Sequence, residues 1–432
     1  MILSLRLIAD YLWQYKEVSV GVAVLASLQV VILLFIRPIN RLMLTSALVF
    51  VLLLVVSIRD PENYDSTTLT VLLKLATLPV LLLAGSLSDV RRPLSGWLTL
   101  VSSLLLIPIL VSLFTGSGFL QWGAARTFAG GFFFKTDLAY FLTSAVIYFL
   151  AARNRLTDWV VAPAILMLAG LVFLSNARIY YLIFPLIVLS IWFQVYRRFK
   201  TDVFVGLILV SGLVFVSGVY FVAEVLRLDN MLLFDLNETL YSERNTQGRS
   251  VIWASVWGHY ISDLTVLQKL IGEGLGADGD FISRSLSEKH SELRDCHNIY
   301  LYILVNHGIV GLGLFLTFLV SWFRRFVWLS SQQLDAVAEE TLCCSFAFGL
   351  VFCLAGLTNN VIVYAQSAWP FFFFAGRIFA LSGARIGMIV ESRDSEDREW
   401  PDDVRPLEVA LDRDFVHGSA LLGVEQVEFC AD

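Results

Sequence analysis

The sequence predicts an all-α polytopic membrane protein: about eleven transmembrane helices with one large external loop. Three observations lead there. Mean hydropathy is +0.73, with 57% hydrophobic and only 16% charged residues, a balance far from that of soluble domains. Apolar runs of about 20 residues recur along the chain, each long enough at 1.5 Å per residue to cross a hydrocarbon core of about 30 Å. From Glu224 to His297 that character collapses for about seventy residues and then resumes.

Residues 1–17 are amphipathic and are expected to lie along the membrane interface. No cleaved leader is expected, because the first apolar run is too long, lacks a small-residue cleavage site and is followed at once by another. The runs fall at 18–36, 42–58, 66–87, 94–116, 136–152, 158–175, 179–195, 203–223, 303–323, 342–363 and 367–388. They are too long for strands of an outer-membrane barrel, which need about ten alternating residues each. The chain therefore divides into an N-terminal bundle of about eight helices (1–223), the loop (224–297), about three further helices (298–390) and a tail (391–432). Thirteen acids against four arginines make that tail strongly acidic, and it is expected to be disordered and cytoplasmic. No internal repeat is visible.

Short-loop charge sets the orientation. Arg37 and Arg41, Arg91 and Arg92, Arg153 and Arg155, Arg197, Arg198 and Lys200, and Arg324 and Arg325 fall in every second connection. The positive-inside rule makes that set cytoplasmic, so the large loop faces outward. Of five cysteines only Cys296 clearly faces that side, so no disulfide framework is expected.

The loop carries twelve Asp or Glu against seven Lys or Arg. Ser250–Ile261 places Trp253 and Trp257 one turn apart, as in a short helix at an interface; the indoles either anchor that helix or touch a glycan or lipid. Gly272, Gly274, Gly276 and Gly279 superficially offer a phosphate cradle. They lack the Lys-Ser/Thr that would follow and the buried strand that would precede, and so read as a tight structural turn. Asp278 and Asp280 lack the other oxygens of a calcium loop. His290, Cys296 and His297 match no zinc spacing. No metal site is expected.

The remaining signal is cationic. Arginine presents a planar fork of donors that grips phosphate oxygens and keeps its charge. Arg244 and Arg249 sit five apart ahead of the Trp pair, and Arg178 stands in a very short outward turn at the mouth of the bundle. A cation there is costly unless it pairs or meets an anion; snorkelling, or pairing with a nearby Glu, is the other reading of each. Lys74 and Arg377, inside apolar runs, raise the same question.

In this order the pieces resemble the O-antigen ligase and polymerase superfamily of bacterial envelope glycosyltransferases. The resemblance rests on Asn176-Ala-Arg178, Arg249-x3-Trp253, Gly272-x-Gly274-x-Gly276, and His297-Asn298-x-Tyr300-Leu301 followed by Gly308 and Gly311. It covers roughly residues 131–323. Lys135-Thr-Asp137 departs from the His-Pro-Asn commoner in the family, so no role is carried to it. The resemblance implies a membrane-embedded (GT-C-like) glycosyltransferase, a glycan donor on undecaprenyl diphosphate, no cofactor and no metal. As partners it implies membrane lipid with flippase and chain-length regulator proteins, and no nucleic acid. The site would face the periplasm from the inner membrane.

On that reading Arg178 and Arg249, with Arg244, stabilise the departing diphosphate, and His297 takes the acceptor's proton or orients the acceptor. Glu243 and Glu273 are the second choices for base, and Asn298, Trp253 and Tyr300 contact substrate. A polymerase is favoured over a ligase acting on lipid A–core, because an acidic loop suits an anionic core poorly. A carrier of lipid-linked glycans is the competing class; it should concentrate polar residues at mid-membrane, whereas here most gather in one loop.

Overall fold

The computed structural model describes residues 2–12, 16–36, 50–51, 58, 66–122, 125–152, 156, 158–196, 248–286, 295–332 and 334–399. The runs expected at 42–58 (save residues 50, 51 and 58) and 203–223, Glu243, Arg244, His290 and the tail beyond residue 399 lie outside them. The compact body ends at Ser382, and Gly383 opens a second unit.

The protein is mostly helical, and four described helices are long and apolar enough to cross a membrane: Thr70–Leu87, Ser95–Phe114, Ile299–Ser330 and Ala336–Ala355. In chain order the helices are α1 (Ile2–Tyr11), α2 (Lys16–Ile36), α3 (Ser66–Leu87), α4 (Ser95–Phe114), α5 (Lys135–Ala151), α6 (Asp158–Ser175) and α7 (Arg178–Tyr196). Residues 248–286 supply α8 (Arg249–Ser262), α9 (Val266–Ile271) and α10 (Ala277–Ser285); α11 (Ile299–Ser330), α12 (Ala336–Ala355) and α13 (Ala365–Glu399) follow.

The exposed face of α4 identifies its solvent. Leu100, Leu104, Ile107, Val111 and Phe114 recur at helical spacing along one exposed stripe, with Phe114 86% exposed. Water would penalise that stripe at about 25 cal/mol per Å² of apolar surface; a hydrocarbon core does not. On the other side Leu98, Ser102, Leu106 and Ile109 are buried. Helix α5 is different, being buried from Leu138 to Leu150 all round, as a helix apolar on every face must be. It is the central pillar, packed against α4, α6, α7 and α12.

Small residues let helices close. A Cβ on Gly85 of α3 would lie 1.9 Å from the carbonyl oxygen of Phe373 in α13, and one on Gly376 would lie 2.1 Å from that of Leu82. Such backbone approach is how helices associate where lipid removes the hydrophobic drive.

At the end of the body carrying the 88–95 turn, buried Arg377 donates to the carbonyls of Asp89, Val90 and Arg92 and to the hydroxyls of Ser88 and Thr341. Glu340 accepts the amides of Leu94 and Ser95 at 2.7 and 2.6 Å, satisfying donors at the start of α4. Arg377 is thus a structural staple of that turn.

Several expectations are corrected. Residues 1–17 do not simply lie at an interface, because α1 buries Ile2, Leu3, Leu7 and Asp10 within the body. Its Arg6 pairs with Asp10 and stacks over Trp369 at 5.2 Å, so an ion pair replaces water on its polar face. The fold is all-α as expected apart from one small element, in which Phe119–Trp122 and Ala125–Phe128 form a two-stranded antiparallel hairpin, Phe119 opposite Phe128. The run 342–363 is broken, since α12 stops at Ala355 and a turn leads to a 3-10 helix at Val361–Val363. Helix α13 continues to Glu399, nine residues into the segment expected to be disordered. Helix α11 overruns its expected bounds and breaks internally at Gly308 (φ 68°, ψ −173°).

Candidate functional site

Three cations each open a helix. Lys135 begins α5, Arg178 begins α7 and Arg249 begins α8. The structure brings them together, because the charges of Arg178 and Arg249 both act on the Lys135 ammonium. Lys135 stands one residue outside the apolar run 136–152; burial first, then those two cations, push it down to about 8. The helix dipole already places about half a positive charge at each N-terminus, where cations are disfavoured. Three helix starts and three basic side chains within reach of one another's charge make an electropositive region, of the kind that attracts anions.

Local chemistry fixes each arm. The turn before Arg178 is pinned by the Ser175 hydroxyl, which donates to Val172 and accepts from Ala177. Asn176 takes a left-handed conformation (φ 54°), which asparagine tolerates better than most residues. Gly248 (φ 81°) turns the chain into α8. Tyr140 and Tyr364 are electrostatic neighbours of Arg249, and Tyr140 meets Tyr180 edge-on at 5.1 Å and stacks with Tyr364 at 6.4 Å.

His297 stands beside Arg249, whose charge acts on it. Its backbone N–H donates to Asp295 Oδ1 at 2.7 Å; its Nδ1 lies 3.1 Å from the same oxygen without making a hydrogen bond to it. Burial lowers its pKa, Asp295 opposes that, and Arg249 lowers it further; the net shift is downward. The residue has φ 47°, uncommon for a side chain of this size. Its neighbours hold it there. Trp253 Nε1 donates to the Cys296 carbonyl at 2.9 Å, Asp278 accepts the Cys296 amide at 3.1 Å, and Asn298 caps α11 through Tyr300 N and Leu301 N.

The glycine-rich turn supports this segment from below. Glu273 N and Gly274 N donate to the carbonyls of Val305 and Asn306 at 2.9 and 3.2 Å, where α11 breaks. The Asn306 carboxamide accepts from Ala277 N and donates to Asp278. Burial raises Asp278 to about 6 against that hydrogen bond. The amides of Glu273, Gly274 and Ala277 are thus spent on α11 and that of Gly272 on Gln268, as in a structural turn.

Other expected residues have defined places. The Asn298 side chain also donates to Leu357 O at 3.1 Å, and Tyr300 donates to Cys353 O at 3.3 Å. Trp253 is the anchor just described. Glu273, 2.9 Å from His259 Nε2, belongs to a clasp with Asp263 and Gln268. Among the described residues no three of His, Cys, Asp or Glu gather as a metal ligand set, and the described cysteines are free.

Sequence reasoning passed over Lys135, Asp295 and His259. A basic residue at the start of an apolar run, the very signal that singled out Arg178, also marks Lys135. Lys74, inside α3, feels Arg6, Asp137, Asp10 and Asp295, so a second group of charges lies near the first and Asp295 reaches both. Burial raises Asp10 to about 6 despite Arg6 and Lys74. No family model and no characterised protein matches the chain.

Proposed function

We propose that this protein is a metal-independent glycosyltransferase that polymerises glycan repeat units carried on undecaprenyl diphosphate. It would work at the periplasmic face of the bacterial inner membrane, within a bundle of about eleven spans. The observation that carries the reading is that Lys135, Arg178 and Arg249, each at a helix N-terminus, lie within reach of one another's charge and beside His297, whose backbone amide bonds to Asp295. Transfer needs two things there: fixed positive charge for the diphosphate as it leaves with the bonding electrons, and a proton acceptor for the attacking hydroxyl.

Further features support it. Asn176, two residues before Arg178, is buried, and its carboxamide has no hydrogen-bond partner among the described residues. It offers both donors and an acceptor, which suits a sugar hydroxyl better than a phosphate, an acceptor only. The segments bearing Asp10, Lys135, Arg178, Arg249 and Asp295 are those the loop charges assign to the outer side, while Arg377 and Glu340 hold the turn beside Arg91 and Arg92 at the other. An acidic outer loop favours polymerisation over transfer to lipid A–core.

The test is purified protein with labelled undecaprenyl-diphosphate glycan. A polymerase lengthens the glycan unaided, a ligase needs added lipid A–core, and a carrier only moves the lipid. Arg178→Ala and Arg249→Ala should abolish product, with partial rescue by Lys, which lacks the fork. Full activity in both Ala variants overturns the phosphate role; loss of rate with chelator, restored by Mg²⁺ or Mn²⁺, overturns metal independence. Reporters near Asn230 or Lys289 should read as periplasmic, and one after Arg393 as cytoplasmic.

A further inference from the structure

One face of the elbow formed by α8 and α9 is apolar and open. On α8 the exposed residues Ala254, Trp257, Gly258 and Ile261 follow one another at helical spacing, and a Cβ built on Gly258 meets nothing within 4 Å. Across the turn α9 adds Val266, 76% exposed, Leu267, 64% exposed, and Leu270. The charged clasp of α8 points away from this face. At about 100° per residue His259 stands roughly 150° round the helix from the middle of the stripe, and there it meets Asp263 and Glu273 at 2.9 Å.

We propose that this elbow is a membrane-inserted corner: the Ala254–Ile261 stripe and α9 rest in the boundary between headgroups and acyl chains, and the partner of the surface is phospholipid of the same bilayer that the spans cross. The inference is independent of the glycosyltransferase reading. Exposed apolar patches mark contact with a protein or with a membrane, and here the depth of the elbow and its hydrogen bonding both select the membrane.

Depth comes from α11. At the break of that helix α9 is in backbone contact with it: a Cβ on Gly308 would lie 2.3 Å from the carbonyl oxygen of Leu270, and one on Gly272 would lie 2.3 Å from that of Asn306. The next residue of α11, Ile309, opens an exposed apolar stripe that runs through Leu316, Val320 and Phe323 to Val327. Helix α11 is long and apolar enough to cross a membrane, and this stripe is the side it turns to lipid. At 1.5 Å per residue Ile309 to Val327 covers about 27 Å, close to the roughly 30 Å of a hydrocarbon core. Ile309 therefore marks one edge of the hydrocarbon, and Arg324 and Arg325 stand near the other. Contact with Gly308 holds α9 at the first edge, so its exposed side chains continue the lipid-facing stripe.

The hydrogen bonds of the elbow suit that place, because backbone groups that meet hydrocarbon must be satisfied within the protein. Asp263 N donates to His259 O and Lys269 N to Thr265 O, both at 2.9 Å. The Lys269 ammonium donates to Ile261 O at 2.6 Å, the Tyr260 hydroxyl donates to Lys269 O at 2.9 Å, and Thr265 and Gln268 close a capping box. The exposed Ser262, Asp263 and Thr265 of the turn keep the elbow at the boundary rather than deeper. Trp257, 51% exposed, takes the interfacial position that indoles favour, while Trp253 turns inward to Cys296 O. Since α8 carries Arg249 at its first residue and Trp253 on its inner side, bilayer contact along its apolar stripe fixes how both stand over the membrane.

The experiment is spin-label accessibility on the full chain in phosphatidylcholine–phosphatidylglycerol liposomes. Labels are carried by Ile261→Cys and Leu267→Cys on the elbow, Ile309→Cys and Leu316→Cys on α11, and Arg284→Cys on α10, where the native side chain is 77% exposed. Labelled wild type supplies the background of the native cysteines. The two elbow labels and the Leu316→Cys label should collide more with oxygen, which concentrates in hydrocarbon, than with a water-soluble nickel chelate; the Arg284→Cys label should show the reverse. The Leu267→Cys label should lie at the depth of Ile309→Cys and about 10 Å shallower than Leu316→Cys, seven residues further along α11. Adding Leu267→Asp and Leu270→Asp should shift the Ile261→Cys label towards the chelate and leave Leu316→Cys unchanged. Chelate-dominated access at Leu267→Cys overturns the proposal, as does an Ile261→Cys label indifferent to the aspartates. A Leu267→Cys label shielded from both reagents also overturns it, because a second copy or another protein would then cover the face. If the aspartate variant does not fold, the single labels decide. None of these readings needs turnover, so loss of the glycosyltransferase reading would leave the elbow standing, and the reverse.

Discussion

Gly272 and Gly308 meet backbone to backbone: a Cβ on the first would lie 2.3 Å from the Asn306 carbonyl, and one on the second 2.3 Å from that of Leu270. Both have positive φ, 79° and 68°. This contact lets the glycine turn hydrogen-bond into the break of α11 and so sets the height of Asp278, Cys296 and His297.

Gly308→Ala should therefore destabilise the protein by about 2–4 kcal/mol, combining the overpacking cost with that of a left-handed alanine. Gly313→Ala on the same helix, where a Cβ meets nothing within 4 Å, should be nearly neutral. Thermal unfolding in detergent compares them; equal midpoints would contradict the contact.

Arg377 invites a different comparison. Five hydrogen bonds commit its guanidinium to one turn. Arg377→Met should strip partners from the Asp89, Val90 and Arg92 carbonyls and cost about 3–5 kcal/mol, in the range for breaking a charged network around a buried residue. Little folded protein should survive extraction, and Arg377→Lys should recover only part of it. Well-folded but inactive Arg377→Met would instead place Arg377 in the chemistry.

Much of the framework was legible because hydrocarbon imposes long apolar runs. The described helices α2 to α7 begin and end within a few residues of the expected spans. The structural role of the glycine turn was legible too, since what it lacked excluded a phosphate loop. Arg178 and Arg249 stood out in the sequence because a cation is costly at the edge of a membrane, and the structure sets them near Lys135. What eluded the sequence was juxtaposition. Amphipathicity said that α1 had a polar face, not that Asp10 would meet Arg6 inside the protein. The Phe119–Phe128 hairpin is two four-residue strands, too short for alternation to register. Asp295 looked like one more acid of an acidic loop until the turn folded it onto His297.

Lys135 gives the cation cluster a titration that its arginines lack. Burial, Arg178 and Arg249 hold it near pH 8, so it is charged below that value and loses its proton above. Inorganic diphosphate should bind more weakly as pH rises from 7 to 9, and bound anion should delay the loss. Lys135→Met should bind weakly throughout and without that step, while Lys135→Arg should bind with no weakening at pH 9. Calorimetry decides; a step that persists in Lys135→Met would assign it elsewhere.

His259 supplies a pH dependence of the opposite use. Its Nδ1 and Nε2 lie 2.9 Å from Asp263 and Glu273, and its ring stacks on Phe281 with centroids 4.1 Å apart. Burial disfavours the imidazolium, but the two carboxylates together outweigh it and raise the pKa above its ordinary value. A histidine in the unfolded chain titrates near 6.5. The charged form is therefore favoured by the fold, and the stability it contributes is complete below about pH 6.5 and lost as pH rises through the raised folded value. The clasp joins the end of α8 to the glycine turn, so its loosening should be local. Hydrogen exchange over residues 259–274, corrected for intrinsic rate, should be faster at pH 8.5 than at pH 6, with α5 unaffected. His259→Gln keeps hydrogen bonding without the charge, and should exchange at the faster level at both pH values. The same slope in wild type and His259→Gln would show that the clasp is not what titrates.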